Sequence, residues 1–437
     1  MGAEKLKKTK IDGILCRKSN QGSPPIKTTQ NKTICIPYPT EKYEQIIDNP
    51  AEFRSYLDDI IKLYPELFPV TITAGYQLKD SRYSKKLGLR IRRIETRDGQ
   101  SWSVRPAFVT PYLSGYVSEV EKPLFLRKFN VPFWGLAYVF GKDAMYWYRL
   151  ECALGRNSIV GTTVKSAEAL PKDLVADEKH TKQGGQKVYI AVTAGQECIL
   201  GAEITASADT PALTEAYGVF KSEAQHLDPD YQPDSVNLDG WLATQQAWLT
   251  LFPHITIILC FLHAFLSIRN RAKKKAADTF RLISQKVWEA YHAPDKRSFS
   301  QRIRRLREWA TVHLSPSPIQ EILLHLCQKK KMFMTAYDQP TAHRTSNMVD
   351  RLIKFMDRWL FATQYFHGTT DAARLQTRGW ALLVNFCPST PLTIKKHHGK
   401  ISPAERLNGF RYHDKWLQNL LISASMGGAQ HDPQKTL

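Results

Sequence analysis

The chain has 437 residues, of which 43% are hydrophobic, so it is long enough to bury more than one core and two or three domains are expected. Its 61 Lys and Arg against 41 Asp and Glu leave a formal net charge of +20, which repels itself unless a polyanion commonly sits against it; nucleic acid is the expected partner. Seven Cys scattered from Cys16 to Cys387 with no Cys-x-x-Cys pair exclude a disulfide scaffold and a zinc ribbon, and the longest apolar run, Ile255 to Leu266, is too short to cross a bilayer.

No apolar segment follows the Lys-rich N-terminus, so a soluble, cytoplasmic protein with no membrane partner is expected, nucleoid-associated if prokaryotic. Residues 1–42 read as a basic arm, flexible from Met1 to Lys32, where Lys, Thr, Ser, Gly and Pro leave almost nothing to bury. Residues 43–116 read as a small α/β module. Ile46, Ile47, Phe53, Leu57, Ile60, Ile61 and Tyr64 recur at helical spacing; Val70 to Ala74, Leu87 to Ile94 and Trp102 to Phe108 look like strands, and Asp98-Gly99 is a hairpin turn.

Residues 117–170 are helical, and the last two helices, joined by Gly155 and Arg156, form a helix-turn-helix-like DNA-binding region. Its final helix would present Asn157, Ser158, Thr162, Thr163 and Lys165 to base edges and phosphates. Plain packing of a helix pair is the competing reading, and Tyr146, Trp147 and Tyr148 are expected in the core.

From Asp173 the periodicity is that of strands. LVADEKH, KVYIAVTAG and CILGAEITAS make an antiparallel meander, broken at Gly184-Gly185 and Gly195-Gln196. A helix from Pro211 to about Ala224, a strand ending at Asp239, a helix from Ala243 to Leu251 and a strand from Ile255 to Leu259 follow. A doubly wound sheet would alternate strand and helix from the start, whereas the order βββαβαβ is that of an RNase H-like mixed sheet. The fold class is therefore α/β, with residues 171–264 as the first part of a catalytic core. Residues 265–340 form an all-helical insertion rich in Arg269, Arg271, Lys273, Lys274, Lys275, Arg302, Arg304, Arg305 and Arg307. Trp288 and Trp309 lie among them, a mixture suited to phosphates and unpaired bases, and otherwise an ordinary solvated face. Residues 341–394 complete the core. Residues 395–437 are a basic loop with Lys395, Lys396, His397, His398 and Lys400, a short helix WLQNLLISA, and a tail from Gly427 expected to be disordered.

Asp177 on the first strand of the meander, Asp239 in LDGW after the fourth strand and CFLH after the fifth resemble the DDE/DDD transposases of insertion sequences. The Cys260-x-x-His263 pair is similar to the signature of their Mutator-type branch, and SPAERLNG resembles the C-terminal ends of such transposases and of integrases. The resemblance spans about Leu170 to Phe386. In that family a third carboxylate opens a late helix, commonly as Glu; here TSNMVDR puts Asp350 in that place. The resemblance implies that Asp177 bridges two Mg²⁺ ions, with Mn²⁺ as a substitute, and that Asp239 and Asp350 complete the two sites.

Each acid has a plainer reading. Glu178 and Asp173 compete with Asp177, and Asp239-Gly240 is a common turn pair. Asn347 with an acid three residues on is a capping box, and Asp357 lies two turns further along a helix whose apolar stripe is Val349, Leu352, Ile353, Met356 and Leu360. Neither His254 nor His180 completes a zinc set with Cys260 and His263. Those two are expected behind the ligands, with His263 donating to a carboxylate or scissile phosphate and Cys260 packed beneath it; a satisfied core histidine is the competing reading. The expected activity is a DNA transposase that cuts transposon ends and joins the 3′-hydroxyl to target DNA. Double-stranded DNA and a homo-oligomer, a dimer or larger, are the expected partners. An RNase H-like nuclease without strand transfer and an inactive, transposase-derived DNA-binding protein are the alternatives.

Overall fold

A computed structural model describes residues 31–111, 115–272, 277–314, 316–339 and 341–428. In chain order the elements are β1 (Thr33–Ile36), α1 (Tyr43–Asp48), α2 (Pro50–Leu63), β2 (Tyr76–Ser84), β3 (Leu89–Thr96), β4 (Ser101–Pro106), α3 (Val117–Arg127), α4 (Phe133–Phe140), α5 (Ala144–Leu154) and α6 (Ile159–Thr163). Then come β5 (Asp173–Gln183), β6 (Gln186–Gly195), β7 (Cys198–Thr205), α7 (Thr210–Leu227), β8 (Ser235–Leu238), α8 (Leu242–Leu251) and β9 (Thr256–Leu259). The rest is helical: α9 (Phe261–Ala272), α10 (Ala277–Tyr291), α11 (Lys296–His313), α12 (Pro318–Gln328), α13 (Lys330–Met334), α14 (Asn347–Ala362), α15 (Thr370–Phe386), α16 (Pro391–Lys396), α17 (Pro403–Asn408) and α18 (Trp416–Ser423). Two mixed sheets surrounded by helices make the protein α/β. Among the described residues no helix is long and apolar enough to cross a membrane.

The N-terminal sheet has the order β1-β4-β3-β2, with β1 parallel to β4 and the other pairs antiparallel. β1 falls inside the stretch expected to be an arm. Its Ile34, Cys35 and Ile36 are an apolar triplet, fully buried, and the Cys35 N–H donates to Ser425 Oγ at the far end of the chain. The expected strand Val70–Ala74 is a 3₁₀ turn entered through Pro69. The strand actually present, β2, is polar on both faces because it lies at the sheet edge. Asn49 divides the predicted first helix by capping α2, its side chain accepting the N–H groups of Ala51 and Glu52.

The helix-turn-helix-like reading fails on burial. α6 has five residues, all buried. Asn157, Thr162, Thr163 and Lys165 are buried too, and Ser158 is occupied in capping α6 and in donating to Glu223. Lys165 Nζ donates to the carbonyls of Gly161 and Ser423, each at 2.7 Å, and burial pushes this amine down to about 7. The glycines explain the arrangement. A Cβ on Gly155 or Gly379 would overlap backbone of the other helix, so α5 and α15 touch backbone to backbone, and a Cβ on Gly161 would overlap the Gly428 carbonyl. Gly427 and Gly428, read as the start of a disordered tail, are thus packed on α6, and the Ser158 N–H donates to the Gly427 carbonyl at 2.8 Å; residues 429–437 lie outside the described residues.

The second sheet has the order β7-β6-β5-β8-β9, with β5, β6 and β7 antiparallel and β8 and β9 parallel to β5. Strand alternation separates its two faces. Leu174, Ala176, Ala191 and Leu200 pack with Leu213, Phe220 and Trp248 of α7 and α8. Val175, Ile190, Val192 and Ile204 pack on the other face with Val349, Trp359 and Trp380 of α14 and α15, in a core continuous with that of the N-terminal sheet. The insertion helices α9 to α13 have a core of their own around Phe261, Phe299 and Phe333.

Arg127 and Glu151 pair between α3 and α5 with both side chains fully buried, and Arg127 also covers the Phe133 ring. Glu151→Ala strands the guanidinium and is expected to cost about 3–5 kcal/mol in chemical denaturation. The double change Arg127→Met with Glu151→Leu removes both charges and is expected to recover most of that loss. A double variant no more stable than Glu151→Ala would show that packing, not the stranded charge, sets the cost.

Candidate active site

Three side chains from distant parts of the chain meet at one end of the second sheet. Ligand atoms of Asp177, His263 and Asp350 all lie within 4.8 Å of one another. Asp177 is in the middle of β5, and the alternation that sends Val175 toward α14 sends Asp177 the same way. His263 sits in the first turn of α9, immediately after β9, and Asp350 in the first turn of α14. The segment leading into α14 is clamped to the ends of β8 and β9: Asn237 Nδ2 donates to the His343 carbonyl at 2.8 Å, and the Ser346 N–H donates to Cys260 Sγ at 3.2 Å.

Asp239 was expected in the converging set and stands at its edge instead. It follows β8 on an exposed turn, and its Oδ1 accepts the Trp241 N–H at 2.9 Å. Gly240 sits between them at φ +101°, a conformation that L side chains rarely adopt. Even so, the Asp239 charge is felt at Asp177. His263, expected behind the ligands, is in the cluster itself, and only Cys260 lies behind.

Burial raises the Asp177 carboxyl to about 6, helped by the negative charges of Asp239 and Asp350 and opposed by His263 and by the Glu178 N–H, which donates to Oδ1 at 2.8 Å. His263 is pushed up to about 9, first by its hydrogen bond to Cys260 and by the Cys260 charge, then by Asp350 and Asp177, against the effect of burial. Burial alone would raise the Cys260 thiol, yet hydrogen bonds from His263 and Ser346 bring it below its usual value. Protonated, His263 is a cation among carboxylates; deprotonated at Nε2, it adds a nitrogen donor to two carboxylates.

Ser346 joins these groups, and the sequence reading missed it. Its Oγ donates to Asp350 Oδ2 at 3.0 Å and lies 3.2 Å from His263 Nδ1 and 3.1 Å from Cys260 Sγ. A hydroxyl has one proton. With that proton on Asp350, Oγ accepts from His263, so Nδ1 carries a hydrogen and Nε2 is left toward the carboxylates, 4.0 Å from Asp350 Oδ1. The capping-box reading of Asp350 does not hold: the N-cap of α14 is Ser346, whose side chain caps no helix N–H. A small polar residue four positions before an acid, opposite Cys-x-x-His, was the available signal.

The competing acids have other partners. Asp173 accepts from Ser235 Oγ at 2.6 Å, and Asp357 pairs with Lys179. Glu178 points to the opposite face, where burial raises it to about 7 and the hydroxyls of Tyr217 and Thr244 donate to it at 2.7 and 2.8 Å. On the insertion, Arg269, Arg304, Arg305 and Arg307 are exposed, while Arg302 donates to the Glu289 carbonyl. Lys273, Lys274 and Lys275 lie outside the described residues, as does the side chain of Arg271. Trp288 and Trp309 are half-buried against Phe265 and His313. Lys395, Lys396 and His398 are exposed at the end of α16, which forms where a loop was expected.

Two outcomes follow for the isolated protein. Both raised groups favour their protonated forms in the fold. Asp177 therefore contributes stability below its ordinary value that is lost as pH rises through about 6, and His263 contributes stability that is lost as pH rises through about 9. A divalent cation competes with these protons, so Mn²⁺ or Mg²⁺ is expected to raise the melting temperature more at about pH 8 than at about pH 5.5; equal shifts at both would place the binding elsewhere. Ser346→Ala removes the hydroxyl that orients His263 and Asp350 and is expected to weaken Mn²⁺ binding about 10- to 100-fold by calorimetric titration. Ser346→Thr, which keeps the hydroxyl, should lose much less.

Compared with known proteins, the chain matches no protein-family model and no curated protein, so the chemistry of this site rests on its own residues.

Proposed function

We propose that the protein is a DNA transposase whose RNase H-like core cuts transposon ends and joins the freed 3′-hydroxyl to target DNA by two-metal-ion phosphoryl transfer. The observation that carries this reading is the meeting of Asp177 and Asp350, from a central strand and from a helix beyond the long insertion, with Asp239 close enough to raise Asp177. The sheet order supports it: an antiparallel meander continued by two parallel strands, with acids on the central strand and at the end of its parallel neighbour. The net charge of +20 and the exposed arginines of the insertion support a polyanionic substrate.

The donor set suits a hard divalent cation. Carboxylate oxygens converge, and the ionised form of Asp177 is disfavoured until a positive charge compensates it. Mg²⁺ or Mn²⁺ bound there would supply charge to the attacked phosphate and to its leaving oxygen. Asp177 would hold the ions together with Asp350, and Asp239 beside them would add a further carboxylate. His263 turns Nε2 toward the same point and, when protonated, donates to a phosphate oxygen there. Ser346 fixes that orientation, and the exposed arginines hold the duplex. The reading assigns no covalent role to a side chain; positioning and charge do the work. Transposon ends occur in pairs, so a dimer or larger assembly on DNA belongs to the same proposal.

Asp177→Ala, Asp239→Ala and Asp350→Ala are each expected to reduce cutting of a labelled transposon end by at least about 10²–10³-fold while leaving DNA binding in gel-shift assays intact. With Mg²⁺ and a plasmid target the unaltered protein should give joined product. Cleavage without joining would point to a nuclease, and binding without cleavage to a DNA-binding protein that has lost the chemistry.

A further inference from the structure

On the face of the second sheet opposite Asp177, three rings form a shelf that the cluster of Asp177, His263 and Asp350 does not use. His180 of β5 faces Tyr189 across the β5–β6 ladder, with ring centroids 4.8 Å apart and the planes at 77°. Trp241, next but one to Asp239, lies 6.5 Å from His180 and 6.4 Å from Tyr189. A tryptophan is usually well covered, yet this one is 39% exposed. Cations stand at both ends. Lys187 Nζ rests over the Tyr189 ring at 4.9 Å, and Lys329 of the insertion stands beside the turn, its Nζ 3.9 Å from where a Cβ on Gly240 would lie.

An exposed indole backed by two rings and bracketed by two lysines, two residues from a carboxylate beside the site, has the chemistry of a nucleotide seat. Bases of every kind stack on an aromatic face, and lysines neutralise the phosphates on either side. We propose that the shelf binds an unpaired nucleotide of the DNA strand being processed, with its base on Trp241 and its flanking phosphates at Lys187 and Lys329. His180 and Tyr189 support the indole from behind. The proposal rests on the reading of the carboxylate site as one that works on DNA. It adds that the strand is opened beside the site rather than held as intact duplex.

Stacking of this kind is sequence-tolerant, so the test uses the full chain, without divalent metal, and a single-stranded oligonucleotide carrying 2-aminopurine. Binding is expected to quench the fluorescence. Trp241→Ala is expected to abolish the quench and weaken binding about tenfold, while Trp241→Phe keeps most of both. Lys329→Ala is expected to weaken binding and to lower the salt dependence by about one phosphate contact, and it keeps the test open should Trp241→Ala not fold. A folded Trp241→Ala protein that binds and quenches like the unaltered one, or a Lys329→Ala protein with an unchanged salt slope, overturns the proposal. Because no metal is present, the result is independent of cutting. A protein that quenches through Trp241 but never cuts DNA would sink the transposase reading and leave the seat standing; one that cuts DNA while quenching is indifferent to Trp241 would do the reverse.

Discussion

Acidic side chains gathered at the end of a buried sheet repel one another, and the gathering is made tolerable by a proton on one of them or by a positive charge among them. In this protein Asp177 sits in the low-dielectric environment of β5 and feels both Asp239 and Asp350. The compensating charge within the chain is His263, raised to about 9 by Cys260 and the acids around it. The Cys260-x-x-His263 pair is then a local source of cation, set by its own hydrogen bonds and by Ser346, that stabilises the acids when no metal does so. A divalent ion would displace that proton, and this ties metal affinity to pH.

The remaining structure can be understood as what holds this unfavourable corner in place. β5 is central, so Asp177 rests on a strand paired on both sides. The parallel strands β8 and β9 end together, which brings Asp239 and the start of α9 to the same edge. The insertion closes its own core before the chain returns, and Asn237 and Cys260 then pin the returning segment at His343 and Ser346. α15 and α5 meet through glycines, and the C-terminal residues seal α6. The N-terminal sheet therefore shares one core with the face of the second sheet that carries Asp177.

The strands and helices around the site were legible because each is short, strongly patterned and bounded by turns; β5 to β9 fall close to where alternation puts them. Asp177 and Asp350 were found through a resemblance in order and spacing, since nothing local separates Asp350 from a capping acid. What sequence could not give was facing. Asn157, Thr162, Thr163 and Lys165 look like a polar recognition surface, but in the fold Thr162 packs on Gly428, Thr163 Oγ1 accepts from Asn385, Lys165 donates to the Ser423 carbonyl and the Asn157 carbonyl accepts from Arg378, all partners more than 200 residues away. β1 was hidden by its basic surroundings, and β2 by being an edge strand without an apolar face. Ser346 carried only a weak signal, its place four residues before Asp350, because its contacts with Cys260 and His263 are made only in the fold. Trp241 was read only as part of LDGW; its exposure beside His180 and Tyr189 is a tertiary fact.

The most direct measurement of the central claim is anomalous X-ray scattering from crystals grown with Mn²⁺. A peak between the carboxylates of Asp177 and Asp350, strengthened at higher pH and absent from an Asp177→Asn protein, is the predicted result. A peak at another place, or an undisturbed Asp177–His263–Asp350 cluster at saturating Mn²⁺, would contradict the account.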